Sequence, residues 1–390
     1  MITVDAALSH LFALVEPVEI EEVPLAEAAG RILAREVTAR RDQPPFAASA
    51  MDGYALRGEE AAPGAGFTVI GEAAAGHGFD RAVKAGEAVR IFTGAPLPQG
   101  ATRVIIQEDV TRAGDTITLG PDIGTKDNIR PLGCDFRQGQ SITAPRALRP
   151  ADIALMASMN IASVPVRRRP EVALISTGDE LVMPGETPGP DQIIASNTFG
   201  LKALFEARGA RARMLPIARD TVASLSTALG LAEGADLIVT IGGASVGDHD
   251  LVGRVAGDLG MERAFYKVAM RPGKPLMAGR MGAAAMVGLP GNPVSAMVCG
   301  HVFVAPMIDK MLGLGERPAP RRSVVLAAAL PANGPREHYM RARLTDAGLI
   351  AEDRQDSSLL SILAHSDALL VRTPHDPARE AGETVEYLPI

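Results

Sequence analysis

The chain has 390 residues, with 39 Lys and Arg against 46 Asp and Glu, a formal net charge of −7. That length holds roughly two to three domains, each large enough for a complete core. An acidic balance excludes bulk nucleic-acid binding, which needs a basic footprint to neutralise phosphates. Any anionic ligand must therefore sit on a local patch. Aromatics at 4% and the absence of Trp argue against base stacking. A hydrophobic share of 47% with 22% charged residues excludes a disordered chain.

The two cysteines, Cys134 and Cys299, exclude a disulfide scaffold and a cysteine-based zinc or iron–sulfur site, and they fit a reducing compartment. The start, MITVDAALSH, shows neither the basic segment nor the apolar run of a signal peptide. The longest apolar stretch, Val294 to Ile308, carries His301 and Pro306 and reads as too short to span a bilayer. The expectation is a soluble, cytoplasmic protein without membrane partners.

In chain order, residues 4–15 predict a helix, with Val4, Leu8, Leu11, Phe12 and Val15 on one face behind a Thr3 cap. A short helical stretch ends at Gly30, and ILAREV follows as a strand. From Gln43 to about Gln140 the chain is rich in Gly and Pro, with strands such as RVIIQEDV and TITL separated by Ala113-Gly114-Asp115. This reads as a β module of short strands and long loops. Pro150 opens another helix, and VPVRRRP (164–170) reads as a basic connector.

From Glu171 short apolar strands alternate with helices: VALIS (172–176), a helix over 197–208, ARMLPI, a helix over 221–232, DLIVTI (236–241) and AAAMVGLPGNP. Asn292 as cap and Pro293 at the first helical position open a long helix to about Leu312. This rhythm predicts parallel βαβ units in an open α/β sheet, with ligands at the carboxyl ends of the strands. After Arg317-Pro318-Ala319-Pro320 helices are expected to disappear, leaving SVVLAAAL, YMRARL and ALLVRT as strands of a small β domain.

Several polar, mostly glycine-containing loop segments carry the candidate chemistry. IGGASVGDHD (241–250) follows a strand; its glycines let backbone N–H groups approach an oxyanion, and Asp248 and Asp250 suit Mg²⁺ with phosphate and water. Its bland reading is a tight turn with helix-capping aspartates. STGDEL (176–181) supplies Asp179 and Glu180, or simply starts a helix. Asp220 in ARDTV is the weaker candidate, because a plain N-cap explains it well. RPGKP (271–275) sets Arg271 and Lys274 on a rigid turn, four residues after Lys267, and suits a tetrahedral oxyanion or is a solvated basic turn. GLPGNPVSA (288–296) leads into a helix N-terminus with Ser295 in its first turn, an anion site or ordinary capping. Asp52 in SAMDGYA and Thr93 in TGAPLPQGA read singly as turn residues. Gly243-Ala244-Ser245-Val246-Gly247 also matches the G-x-S-x-G nucleophile elbow, which keeps a serine hydrolase using Ser245 as an alternative.

Taken together and in order, SAMDGYA, GEAAAGHG, RIFTGAPLPQGA, IRPLGCDFRQGQ, STGDEL, IGGASVGDHD, KVAMRPGKP and GLPGNPVSA resemble the MoeA-type molybdopterin molybdenumtransferases, whose eukaryotic counterparts include the E domain of gephyrin. The likeness spans essentially the whole chain. It implies insertion of molybdenum from molybdate into adenylylated molybdopterin with release of AMP, in the presence of Mg²⁺. It implies an α/β multidomain fold in a homodimer: a discontinuous linker domain over 1–42 and 141–170, an inserted Gly/Pro-rich β module over 43–140, a MogA-like pterin-binding α/β domain over 171–317 and a C-terminal β-barrel over 318–390. In the family the cleft lies between the α/β part of one subunit and the inserted module of the other, so Asp52, Thr93 and Asp135 join the catalytic set with Glu180, Asp220, Asp250, Lys267 and Arg271.

By the same resemblance Gly242, Gly243, Ser245 and Gly247 would contact the pterin nucleotide, and Glu180, Asp220 and Asp250 would hold the metal. Arg271, Lys274, Pro275, Ser295, Arg341 and Ser357 would bind molybdate. The family usually has Lys-Pro-Gly-Lys-Pro where this chain has Arg271-Pro-Gly-Lys-Pro; Arg keeps the charge but spreads it over a planar fork. A MogA-type adenylyltransferase, acting on free molybdopterin, is the same-fold alternative, and such a protein is also a possible partner. A gephyrin-like scaffold role would rest on linker and partner features absent from this sequence.

Overall fold

The computed structural model describes residues 1–243 and 251–390. The chain divides into two compact units: Met1–Glu21 with Gly30–Ala34 and Val166–Ile390, and Glu22–Ala29 with Arg35–Pro165.

The second unit holds the Gly/Pro-rich region as a six-stranded sheet in the order Arg103–Ile106, Gly53–Leu56, Glu87–Ile91, Gly66–Ala73, Thr116–Leu119, Val110–Ala113. Its strands alternate between two cores, as the period of two demands. Ala55, Val89, Ile91 and Val104 pack on one side, and Tyr54, Leu56, Ala88 and Ile105 on the other. Both faces are covered, so even Gly53–Leu56 is buried throughout. Gly53 is required there, since a Cβ would lie 2.0 Å from the Ile105 carbonyl oxygen.

The helix opened by Pro150 runs over Pro150–Ser158 and buries Asp152 and Met156. The Asp152 carboxylate accepts the Arg149 N–H at 2.9 Å and pairs with the Arg146 and Arg149 guanidinium groups. The Arg149 N–H bond, followed by the two arginines, overcomes burial and holds its pKa near about 2. A carboxylate depressed on folding stabilises above its unfolded value and loses that contribution as pH falls through the folded one. Asp152→Asn is therefore expected to lower the thermal midpoint at pH 7. The gap to the parent should close as pH falls from about 4 towards 2, and a gap that stays constant in a melting series over that range would refute this.

The first unit contains the α/β domain. Its sheet runs Arg211–Met214, Glu171–Ser176, Leu237–Ile241, Ala284–Leu289, Met277–Met281, Glu262–Tyr266. The first four strands are parallel, and an antiparallel hairpin completes the edge. Val172, Leu174, Val239 and Ile241 face one core with Leu201, Phe205 and the C-terminal helical run. Ala173, Ile175 and Ile238 face the other, against Leu225, Leu229, Val252 and Val255. Each such fully buried Val, Leu or Ile contributes about 1.5–3 kcal/mol. Helices on both faces explain why these strands are apolar throughout.

The helical run Pro293–Met311 is longer than the apolar stretch suggested, with a π-turn at Gly300–Val304. Its length and composition would suffice to cross a membrane, because Pro306 near the start of the segment Ala305–Met311 does not stop it. It is instead a core helix, with 83% of its most apolar window buried inside the protein.

The C-terminal strands run Met270–Arg271, Glu337–Thr345, Ala368–Arg372, Thr384–Pro389, Arg322–Val325, with Gly348–Ala351 on Glu337–Thr345. A bridge from Leu326 to Leu349 closes the sheet around Leu326, Ala342, Leu349 and Leu370. Two expectations are corrected. A short helix, Leu360–Ala364, persists after Pro320, formed by a run of good helix formers. VPVRRRP is not a plain connector: Ser163–Arg167 is a strand with Val164, Pro165 and Val166 buried.

Candidate active site

The carboxyl ends of three parallel strands stand level, with Ser176, Ile241 and Leu289 in register. The chain leaves Glu171–Ser176 for the strand on one side and returns to Leu237–Ile241 on the other, so the order reverses between these two strands. Loops diverge at such a reversal and leave a crevice. Here it is a cavity of about 980 Å³ lined by Thr177, Gly178, Glu180, Asn197, Asp220, Gly242, Gly243, Arg254, Pro275, Asn292 and Ser358, among others. That volume suits a nucleotide-sized ligand.

The glycines are dictated by the crowding of these loops. Gly242 has φ +97°, and a Cβ there would lie 2.6 Å from the Thr177 carbonyl oxygen. Gly243 has φ +64°, and its Cβ would meet Val252 Cγ2 at 2.3 Å. The Gly242 N–H donates to the Leu289 carbonyl at 3.1 Å and the Thr177 N–H to the Ile241 carbonyl at 3.0 Å. These bonds fix the loop roots to one another. Ser245, Gly247, Asp248 and Asp250 lie outside the described residues.

Glu180 and Asp220 bring two carboxylates to this cavity. Asp220 is not the N-cap of the next helix. Thr221 takes that place, its hydroxyl accepting the Ser224 N–H at 3.2 Å. The Asp220 N–H instead donates to Asp179 Oδ1 at 3.1 Å. STGDEL does not start a helix; it leads into the short strand Leu181–Val182, and Arg219 Nη1 braces it through the Asp179 carbonyl at 2.9 Å. Among the described residues no three His, Cys, Asp or Glu side chains cluster as a metal site. Two carboxylates beside space for phosphate and water nevertheless suit Mg²⁺, which seldom uses an all-protein cage. Arg254 and Asn197 were not legible as site residues, since nothing in their spacing separates them from ordinary helix-surface positions.

A second, cationic group gathers where the α/β domain meets the C-terminal strands. Arg271 stands beside His338 in the register of two parallel strands. Arg341, on the same strand as His338, is fully buried, and its Nε and Nη1 have no hydrogen-bond partner. Its Nη2 donates to the Arg354 carbonyl at 3.0 Å. Burial and then the Arg271 charge pull the Arg341 pKa down, against the opposing effect of Asp356. Burial, followed by Arg271, Arg341, Arg336 and Arg372, holds His338 neutral with a pKa of about 4. The local field is thus positive in a chain that is acidic overall.

The loop around Arg341 continues to Ser357. The Ser357 carbonyl accepts the Val294 N–H and its hydroxyl accepts Asn292 Nδ2, both at 3.0 Å. Asn292 therefore heads the helix without capping it through its own side chain. Ser295 is buried in the first turn of that helix. Arg271 and Lys274 are exposed, on a turn closed by the Val268 N–H to the Lys274 carbonyl at 3.0 Å, and Pro275 reaches the cavity. Lys267 has φ +75° and its ammonium lies 5.1 Å from the Tyr266 ring centroid.

Asp52, Thr93 and Asp135 belong to the other unit. Thr93 donates twice to Asp52 Oδ1, through N–H at 2.7 Å and the hydroxyl at 2.8 Å. These bonds, the backbone one first, hold the Asp52 pKa below the usual carboxylate range. Asp135 is exposed, and its N–H donates to the Gln43 carbonyl at 3.0 Å.

Comparison with known proteins gives these features a family. Residues 2–160 match the MoeA N-terminal region (domain I and II), residues 173–310 a probable molybdopterin binding domain, and residues 323–390 the MoeA C-terminal region (domain IV). The molybdopterin molybdenumtransferase of Haemophilus influenzae is 35% identical, over 100% of this chain and 98% of its own. A molybdopterin molybdenumtransferase 2 of Mycobacterium tuberculosis is 35% identical over 93% of each chain. The crystal structure of a molybdopterin biosynthesis MoeA protein from Pyrococcus horikoshii superimposes with a TM-score of 0.85 at 28% identity, covering 100% of this chain and 99% of that one. This chain belongs to the MoeA family of molybdopterin molybdenumtransferases.

Proposed function

We propose that the protein is a transferase that inserts molybdenum from molybdate into adenylylated molybdopterin and releases AMP, a late step of molybdenum cofactor synthesis. The observation that carries this reading is Arg341: a fully buried guanidinium on the strand Glu337–Thr345 with two unpartnered nitrogens, whose Nη2 bonds the Arg354 carbonyl of the loop that reaches the helix head at the nucleotide-sized cavity. A buried, unpaired cation is costly unless an anion completes it. Molybdate is such an anion.

The residues divide the work. Gly242 and Gly243, with Ser245 and Gly247, hold the pterin nucleotide by close backbone approach. Arg271, Lys274, Ser295, Arg341 and Ser357 hold molybdate by charge and hydrogen bonds, with Pro275 shaping the turn beside them. Glu180, Asp220 and Asp250 would hold Mg²⁺, which supplies positive charge between these carboxylates and the substrate phosphate. Asp52, Thr93, Asp135 and Lys267 complete the catalytic set, with the inserted module contributed by the second subunit of a homodimer. Catalysis on this reading is positioning and charge neutralisation, with no covalent enzyme intermediate. The four-part domain division and a cytoplasmic location belong to the same proposal. With adenylylated molybdopterin, molybdate and Mg²⁺, the purified protein is expected to release AMP, and omission of molybdate should abolish turnover. AMP release that ignores molybdate would defeat the proposal, and ATP consumption on free molybdopterin would replace it with adenylylation.

A further inference from the structure

The Asp52–Thr93 pair rests on an arginine that the reading above leaves unused. Arg90 lies on strand Glu87–Ile91, opposite Tyr54 in the antiparallel register. Its guanidinium carbon lies 5.1 Å from the Tyr54 ring centroid and 4.9 Å from that of Phe92. Both distances fall within the roughly 6 Å reach of a cation–π contact. Nη1 donates to the Gly53 carbonyl at 3.2 Å, and Nη2 donates to Gln107 Oε1. The Gln107 N–H in turn donates to the Asp52 carbonyl at 3.1 Å.

One planar group thus bonds the residue after Asp52, bonds the residue that holds the Asp52 carbonyl, and stacks on the residue before Thr93. Both partners of the Asp52–Thr93 contact are pinned from the same point. Asp52 Oδ1 is occupied by Thr93, and the rigid support fixes where Oδ2 points. We propose that Arg90 is a positioning residue, which through its stacked and hydrogen-bonded guanidinium fixes Asp52 and Thr93 in the geometry the reaction needs. The proposal rests on the reading that Asp52 and Thr93 serve the reaction. Lys cannot replace Arg90 here, because an ammonium has neither the planar face nor the fork.

The test compares Asp52→Ala, Arg90→Lys, Arg90→Met and Phe92→Leu with the parent in the AMP-release assay, with thermal melts alongside. Misplacing a reacting group by about 1 Å costs on the order of 100-fold in rate. Both Arg90 variants are expected to lose at least about tenfold in kcat, with KM for both substrates within about twofold. Phe92→Leu, which removes one stacking face and keeps the fork, is expected to lose about threefold in kcat and serves if an Arg90 variant does not fold. Arg90 also helps lower the Asp52 pKa. Removing its charge raises that pKa, so the acid limb of the kcat profile should move to higher pH in Arg90→Met. Parent-like kcat in Arg90→Met beside an inactive Asp52→Ala overturns the inference and leaves the site reading standing. Full rescue by Arg90→Lys, or a rise in KM at unchanged kcat, also overturns it. An active Asp52→Ala overturns the reading beneath it.

Discussion

Replacing Arg341 with Met is expected to cut the apparent molybdate affinity on the order of 100-fold, the value of two lost hydrogen bonds to an anion. Nucleotide binding should be unchanged, because Arg341 does not line the cavity at the strand ends. The stability effect should carry the opposite sign. In the absence of anion the wild-type side chain is fully buried with Nε and Nη1 unpartnered, and burial depresses its pKa. Asp356 and Glu352 offset part of this burial but leave the charged form net disfavoured, so an apolar side chain of similar length should melt at or above the wild-type temperature. Two measurements check this: KM for molybdate, and melting with and without molybdate. A third uses His338, held neutral partly by Arg271 and Arg341. Molybdate binding beside these cations should raise its pKa from about 4 in the wild type, as followed by NMR. Molybdate use at parental KM in Arg341→Met would place the anion elsewhere.

Gly242→Ala should damage both fold and cleft. The backbone there has φ +97°, and the added Cβ would meet a carbonyl oxygen, not a movable side-chain end. Strain of this kind costs about 1–3 kcal/mol before the clash is counted. The thermal midpoint should fall by several degrees, and KM for the nucleotide substrate should rise at least about tenfold. Gly30→Ala is the control, since Gly30 has φ +73° but nothing within 4 Å of its Cβ. Gly30→Ala should therefore be the milder change. Equal losses in the two variants would show that backbone conformation, and not the packing of the loop roots, sets the requirement.

Much of the α/β domain was legible in the sequence because its signals are short-range. The apolar runs at 172–176 and 236–241 end in glycines, and the structure turns both ends into the rim of one cavity. For Asp220 only the N-cap alternative fails: an N-cap is decided among neighbours, and Thr221 one residue on places its hydroxyl on the Ser224 N–H, leaving Asp220 at the cavity. Pro165 and three arginines disguised the strand Ser163–Arg167, whose alternation was too short to outweigh them. Arg90, although it opens the motif RIFTGAPLPQGA, carried no role of its own, and Arg254 gave no signal. Their importance comes from what surrounds them after folding: two aromatic rings for one and the cavity wall for the other. The family resemblance supplied Arg341 and Ser357, and the structure joins them through one loop, which bonds the Arg341 backbone and guanidinium through Gln355 and Arg354 and carries Ser357 to the head of the helix.

That loop sets a rule for dividing the chain. The amide of Val294, at the entrance of the central helix, finds its acceptor on Ser357, and Asn292 spends its side-chain amide there too. The nucleotide-sized hollow is thus finished by residues of the tail. A fragment ending near Pro320 would lose Ser358 from the wall of that hollow and the tail residues Tyr339, Leu369 and Leu388 from the core beneath it, and exchange of the tail between relatives would transplant part of the pocket with it.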